Sequence, residues 1–302
     1  MSTSAPVRSA PDTRYRGRFA PSPTGPLHFG SLVTALAGFL QARVAGGQWY
    51  LRIDDIDPPR EQAGAADAIR SALTRCHLHW DGAVIHQRHN RAQHRAALER
   101  LMTAGLAYRC TCSRRMIGAA TYPGTCRSAN HPAQGRFSVR VCVAAAAVSL
   151  ADPIQGQHTW QLDREGGDFV IWRVEDLPAY HLAAVVDDAE AGITEVVRGA
   201  DLLESAPRQR LLQGLLGLPE PAYLHLPVAV DAAGQKLSKQ ALAPDIASQE
   251  PAQVLLQALT WLGQDPPASL QRAPPHEIID WAIAHWVPSR IPRLRQQIAP
   301  AS

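Results

Sequence analysis

The sequence predicts an α/β fold with a doubly wound parallel sheet, a cysteine-rich insertion and a small helical region at its C-terminal end. Three observations lead there. The chain opens with a strand, loop, helix, strand pattern; strand-like and helical segments alternate again from Phe169 onward; and three of the five cysteines crowd between positions 110 and 126.

Arg16 to Ala20 reads as a short strand, followed by the turn-rich Pro21-Ser-Pro-Thr-Gly-Pro26. Leu32, Val33, Leu36, Ala37, Leu40 and Val44 then recur at helical spacing until Gly46-Gly47 stops them. Trp49, Leu51 and Ile53 alternate with Tyr50, Arg52 and Asp54, so a second strand carries Arg52 and Asp54 on one face. Helices are expected around Ile69, Leu73 and Cys76 and from His94 to Met102, with the cysteine-rich segment running from Cys110 to about His131. Strands are expected at Phe169 to Val174, Leu182 to Val186 and Thr194 to Val197, and a helix at Arg208 to Leu216. Val254, Leu255, Ala258, Leu259 and Leu262 mark a further helix, Trp281 and Ile283 a second, and Arg290 to Arg295 a basic tail. The domain division that follows is a flexible tail over 1–15, a main α/β domain over 16–246 with an insertion at about 105–145, and a short helical region over 247–302.

Across 302 residues, 46% hydrophobic, the chain can bury a substantial core. Thirty Lys and Arg against 27 Asp and Glu leave a net charge of +3, too weak for a non-specific nucleic-acid coat protein. The first residues are polar, without the apolar stretch of a signal peptide, and no membrane-length run follows, so the cytoplasm is the expected compartment. In that reducing setting a cysteine cluster points to a metal before it points to disulfides.

Arg18 to Ser31 runs from a strand into a helix N-terminus, where free amides and the positive helix end suit a phosphate. His28 stands at the mouth of that helix, able to donate to phosphate oxygens, although an isolated His-Phe-Gly also fits a solvated proline-rich loop. Lys236-Leu-Ser-Lys239-Gln240 follows the turn Asp231-Ala-Ala-Gly234, and its two lysines can clamp a triphosphate; alone, such a loop is as well explained by solvent. Together, His28-Phe29-Gly30-Ser31 and Lys236-Leu-Ser-Lys-Gln240 resemble the paired signatures of class I aminoacyl-tRNA synthetases. Ser31 stands where a second histidine is common, as in the glutamate branch of that class. The resemblance implies a Rossmann-type fold, ATP bound through His28, Gly30, Ser31 and Lys239 with magnesium on its phosphates, and His28, Lys236 and Lys239 as the catalytic set.

Glutamate carries two carboxylates and an ammonium, so its pocket needs guanidinium forks and a carboxylate on rigid elements. Arg18 and Asp54 end the first two strands, Tyr180 precedes Leu182 to Val186, and Arg198 ends Thr194 to Val197, beyond the carboxyl ends of strands where such sheets bind ligands. Singly, each fits an ordinary surface or turn residue. Arg18-Phe19-Ala20-Pro21-Ser22, Leu51-Arg-Ile-Asp54-Asp-Ile-Asp57, Tyr180 and Val197-Arg198-Gly-Ala-Asp-Leu-Leu203 resemble, in order, the glutamate-binding motifs of glutamyl-tRNA synthetases, over nearly everything from Arg16 to Gln240. Asp54 departs from that pattern, which usually has glutamate there. One methylene shorter, it is expected to reach the ammonium through water or a shifted strand.

Cys110, Cys112, Tyr122 and Cys126 offer three thiolates and a phenol within 17 residues, and a structural zinc prefers four tetrahedral ligands. The residues alone leave the fourth ligand open between Tyr122, His131 and a histidine from elsewhere, His77 or His79. Cys76 and Cys142 read as small buried hydrophobes. The Cys-x-Cys, Tyr-x-x-x-Cys order, Leu-Ser-Lys-Gln in the lysine loop and only 62 residues after Gln240 resemble the glutamyl-Q tRNA(Asp) synthetase family. That resemblance implies Tyr122 as the fourth ligand of one structural zinc. It also implies L-glutamate activated with ATP without tRNA, no large anticodon-reading domain, and queuosine-containing tRNA(Asp) as the acceptor, with a monomer expected. Competing readings are a truncated glutamyl-tRNA synthetase charging a tRNA 3′ end, a non-catalytic tRNA- or amino-acid-binding regulator, and a small nucleotidylyltransferase.

Overall fold

Strand β1 (Arg16–Phe19) is buried over its last three residues and stops where Pro21 and Pro23 remove backbone donors. The computed structural model describes residues 14–118, 121–129, 131–132, 134–145, 147–237 and 245–300. Helix α1 (Phe29–Val44) is capped by His28, whose side chain accepts the Ser31 amide; it is buried on nearly every side, as a helix packed between a sheet and further helices must be. Strand β2 (Gln48–Ile53) pairs in parallel with β1, setting Arg18 opposite Tyr50. Helix α2 (Ala65–Arg75) leads to β3 (Ile85–His86), parallel to β2, and to helix α3 (Arg91–Thr103).

The chain then leaves this sheet. Strand β4 (Ala107–Cys110), the short helix α4 (Arg114–Ile117) and β5 (Ser138–Val141) carry the cysteine segment, with β4 and β5 antiparallel. A hairpin of β6 (Ala147–Asp152) and β7 (Gly156–Gln161) follows, and β8 (Val170–Trp172) returns antiparallel to β5. The strand expected at Phe169 to Val174 is therefore present but belongs to a second, antiparallel sheet.

The strand expected at Leu182 to Val186 is a helix instead: α5 (Tyr180–Glu190). Every residue from Leu182 to Asp188 is buried, so no polar position interrupts the run to reveal a period of two or of 3.6, and a short apolar run reads either way. Tyr180 thus opens a helix rather than preceding a strand. Strand β9 (Glu195–Gly199), helix α6 (Ala206–Leu216) and β10 (Ala222–Leu226) complete a parallel unit in which Arg198 faces His225. The Thr194 amide donates to the Arg16 carbonyl at 2.9 Å, which fastens the start of β9 beside the start of β1.

Strand β11 (Val228–Val230) is followed by helices α7 (Pro251–Trp261) and α8 (Pro275–His285) and by β12 (Gln296–Ile298). β12 pairs in parallel with β11, so the segment expected as a basic tail runs into a strand. Its polar sequence gives no strand signal; the Val228 amide donating to the Arg295 carbonyl and Trp261 Nε1 donating to the Ile298 carbonyl hold it. Arg295 reaches Glu204 and Arg290 reaches Asp265. Leu36 and Leu40 of α1, Trp49 of β2, Leu73 of α2, Leu255 and Leu259 of α7 and Ile278 of α8 share one core, so the C-terminal helices brace the first strands. Among the described residues no helix is long and apolar enough to cross a membrane.

Gly263, after α7, has φ +72°, and a Cβ there would strike the Arg290 carbonyl oxygen. Gly263→Ala is expected to lower stability by about 1–3 kcal/mol, read as a fall in the urea midpoint. An unchanged midpoint would mean that the Arg290 segment yields without cost.

Candidate active site

One cleft of about 560 Å³ opens at the carboxyl ends of β1, β2 and β9. It is lined by Arg18, Phe19, Ala20, Pro21 and Ser22 from β1 and its turn, Asp54 after β2, Tyr180 from α5 and Arg198 from β9. His28, Gly30 and Ser31 from the start of α1 and Lys236 from the lysine loop line the same cleft. The structure thus brings together all the sequence-predicted amino-acid and nucleotide candidates except Lys239, which lies outside the described residues with Ser238 and Gln240.

The floor of the cleft is a chain of buried charges. Asp188 of α5 accepts from Arg18 Nε at 3.0 Å and from Arg52 Nη1 at 2.6 Å, and Arg52 Nε donates to Asp54 at 2.6 Å. Burial would raise the pKa of Asp188, but the two guanidiniums outweigh it and hold the carboxyl below the usual aspartate value. Burial likewise opposes the charge of Arg52, and Asp54 and Asp188 more than restore it. Asp54 is therefore braced by its own neighbour on β2, since residues i and i+2 share a strand face. Tyr180, in the first turn of α5, is 39% exposed and presents its ring at the rim.

On the nucleotide side, His28 Nδ1 accepts the Ser31 amide at 3.3 Å, which puts the ring proton on Nε2, 3.1 Å from Ser31 Oγ. Ser31 thus contacts the histidine it follows in the motif. Gly30 is closely packed: a Cβ would meet Ala229 Cβ and His28 Cε1, both at 3.3 Å. The loop after β11 folds back on itself, the Leu237 amide donating to the Ala229 carbonyl, and Lys236 Nζ sits 2.5 Å from Asp201 Oδ2. Free helix-start amides, an imidazole and an ammonium together suit a polyphosphate.

The cysteines form a separate centre. Sγ atoms of Cys110, Cys112 and Cys126 all lie within 4.8 Å of one another, with Cys112 and Cys126 at 3.5 Å. The Tyr122 hydroxyl is 3.4 Å from Cys110 Sγ and 3.7 Å from Cys112 Sγ. An ion held at about 2.3 Å by a tetrahedral set separates its ligand atoms by about 3.8 Å, so these four atoms fit a metal ion closely. The sulfur separations are far too long for a disulfide, and all five cysteines are free. Burial opposes ionisation of Cys126, yet the Thr111 amide, Tyr122 and His131 bring its thiol down to about 6. Arg140 Nε donates to Cys110 Sγ at 3.3 Å, and its guanidinium carbon lies 4.0 Å from the centroid of the Tyr122 ring. His131 meets Thr111 Oγ1 at 3.4 Å, while His77 and His79 pair with each other at 3.1 Å.

Sequence reasoning missed Asp188, Asp152 and His225, and included Asp201 only within the Val197 to Leu203 motif, with no role of its own. A pair of acids closing an apolar run, Asp187-Asp188, was the available signal, since buried carboxylates require partners. D188N leaves two buried guanidiniums short of a counter-charge and is expected to lose about 3–5 kcal/mol at neutral pH by urea denaturation. The folded pKa of Asp188 lies below the unfolded value of about 3.9, so its contribution is present above that value and is lost as pH falls through the folded one. Wild-type and D188N stabilities should therefore converge below about pH 4. A constant gap would show that the charge is not what stabilises.

Residues 14–269 match the family described as tRNA synthetases class I (E and Q), catalytic domain. A protein of Ectopseudomonas mendocina (strain ymp) named glutamyl-Q tRNA(Asp) synthetase is 49% identical over 286 residues, covering 94% of this chain and 97% of its own length. One of the same name from Chromobacterium violaceum is 48% identical over 286 residues, covering 92% and 95%. Among solved structures, a glutamate-tRNA synthetase from Elizabethkingia anophelis superposes with a TM-score of 0.80 at 24% identity, over 95% of this chain and 68% of that one, a likeness of fold. The chain belongs to the class I (E and Q) tRNA synthetases and, within them, to the glutamyl-Q tRNA(Asp) synthetase family.

Proposed function

We propose that this chain is a ligase that activates L-glutamate with ATP, without tRNA, and transfers the glutamyl group to the cyclopentenediol of queuosine at the wobble position of tRNA(Asp). The observation that carries the reading is a single cleft in which Arg18, Asp54, Tyr180 and Arg198 face the His28 end of α1 and Lys236. Arg198 supplies guanidinium charge for a carboxylate, and Asp54 a counter-charge for the ammonium. Relatives 48–49% identical over most of the chain, named glutamyl-Q tRNA(Asp) synthetase, support it.

In the first step the glutamate α-carboxylate attacks the α-phosphorus of ATP, and pyrophosphate leaves. In the second a queuosine ring hydroxyl attacks the carbonyl carbon of the mixed anhydride, and AMP leaves. The protein contributes position and charge. His28 and Lys239 stabilise the phosphates with Lys236 in support, and Gly30 and Ser31 complete the ATP site; Phe19, Ala20, Pro21 and Ser22 shape the glutamate side. Magnesium bound with the triphosphate would offset its charge. We read the parallel strands as a Rossmann-type doubly wound sheet, residues 16–246 as the catalytic domain, 105–145 as its zinc-binding insertion and 247–302 as a helical brace. The protein works as a cytoplasmic monomer.

Incubation with ATP, labelled glutamate and tRNA with or without queuosine tests the acceptor. Label is expected only on queuosine-containing tRNA(Asp), in the anticodon-loop fragment after nuclease digestion; label on the 3′-terminal fragment would overturn the assignment. Cys110, Cys112, Tyr122 and Cys126 are proposed to hold one zinc, whose chemistry here is to crosslink the insertion. Metal analysis of the purified chain should find about one equivalent. Less than about half an equivalent without chelator would count against a closed four-ligand site.

A further inference from the structure

Arg198 is held in place on three sides by neutral groups. β9 sets it opposite His225 of β10, and its Nε–H donates to His225 Nε2 at 2.9 Å. Nη1 donates to Gln209 Oε1 at 2.7 Å, and the guanidinium carbon lies 4.9 Å from the centroid of the Tyr223 ring. Nη2, on a side chain only 5% exposed that lines the cleft, makes no hydrogen bond among the described residues.

Receiving the Nε–H bond requires a lone pair on His225 Nε2, which places the ring proton on Nδ1. Asp152 Oδ2 accepts that Nδ1–H at 2.8 Å and the His225 amide at 2.9 Å. Its Oδ1 accepts the Ile154 and Gln155 amides, both at 2.9 Å, so four N–H groups anchor the carboxylate at the end of β6. Asp152 and His225 are both buried. Burial and Arg198 lower the His225 pKa against the pull of Asp152, consistent with a neutral ring.

We propose that Asp152 and His225 are positioning residues: the carboxylate selects the Nδ1–H tautomer of His225, whose Nε2 lone pair sets the rotation of Arg198 and leaves Nη2, which has no protein partner among the described residues, for a substrate carboxylate. This rests on the reading of Arg198 as a glutamate ligand. The relay has a chemical reason. A carboxylate placed directly on Arg198 would fix it equally well but would neutralise its charge and compete with the substrate for the same fork. An imidazole orients the guanidinium and leaves its charge available.

Glutamate-dependent exchange of pyrophosphate into ATP tests the relay. Asp152→Asn places an amide donor against N–H donors on one side or the other, so it disturbs the tautomer without changing shape. D152N and His225→Leu are each expected to raise KM for glutamate about tenfold, the cost of roughly one buried hydrogen bond, with KM for ATP changing far less. His225→Gln, whose Oε1 can accept the Arg198 Nε–H, should recover part of the loss. Thermal unfolding monitors folding, and D152N with H225Q carries the test if H225L does not fold. Wild-type KM for glutamate in folded D152N, or equal rises in both KM values, overturns the proposal. Absence of glutamate-dependent exchange in the wild type would instead remove the glutamate reading, and the relay with it.

Discussion

The carboxylate of Asp188 is the constraint on which the cleft depends. It sits between the guanidiniums of Arg18 and Arg52, and those three side chains come from α5, β1 and β2. Charges taken out of water persist only when paired with good geometry, and the pairing here fixes the distance between a helix and two strands. Asp187, the next residue back, does the same on another side, accepting from Gln87, Asn90 and His94. Two adjacent acids thus bind α5 to the first sheet and to α3, and Tyr180 is placed at the rim because it begins that helix.

A second buried carboxylate organises the cysteine segment. Asp168, just before β8, accepts from the Tyr108 hydroxyl at 2.5 Å, from Arg127 and from the Val143 amide, joining β4, the residues after Cys126 and the segment that follows β5. Arg127 outweighs burial and keeps Asp168 below the usual carboxylate range. Arg140, meanwhile, donates to the Asp168 carbonyl and to Cys110 Sγ. Were a divalent ion held there by thiolates and the Tyr122 phenolate, the set would carry excess negative charge, which an arginine touching both a sulfur and the tyrosine ring would offset. Metal ligands oriented and charge-balanced by their neighbours are held more rigidly than by the ion alone.

Much of the architecture was legible in the sequence, where local period and end signals suffice: α1 between its histidine cap and Gly46-Gly47, β2 with its alternating face, α7 with its apolar stripe. Legibility failed where structure is made by distant partners. α5 is buried all round, so its helical period is hidden, and β12 is polar and exists only because β11 offers unpaired backbone. The cleft residues with a motif around them could be named from sequence. Asp188, His225 and Asp152 could not, because the residues that explain them lie far along the chain and the explanation is a hydrogen bond, not a spacing.

The charges around the cleft divide into two kinds. Arg18 and Arg52 face Asp188 and Asp54, so their positive charge is largely offset within the protein. Arg198 is held by an imidazole, an amide and an aromatic face, none of which offsets it. Lys236 is tied to Asp201, three residues past Arg198, so the lysine loop also brings its own partner. In a low-dielectric site, selectivity for an anionic side chain follows from where positive charge is left uncompensated, more than from how many arginines are present. By that measure Arg198, oriented by the imidazole of His225, is the cleft arginine that would tell a carboxylate from its amide counterpart under the proposed function. Asp54 is drawn toward Arg52, so part of its charge is already answered within the protein.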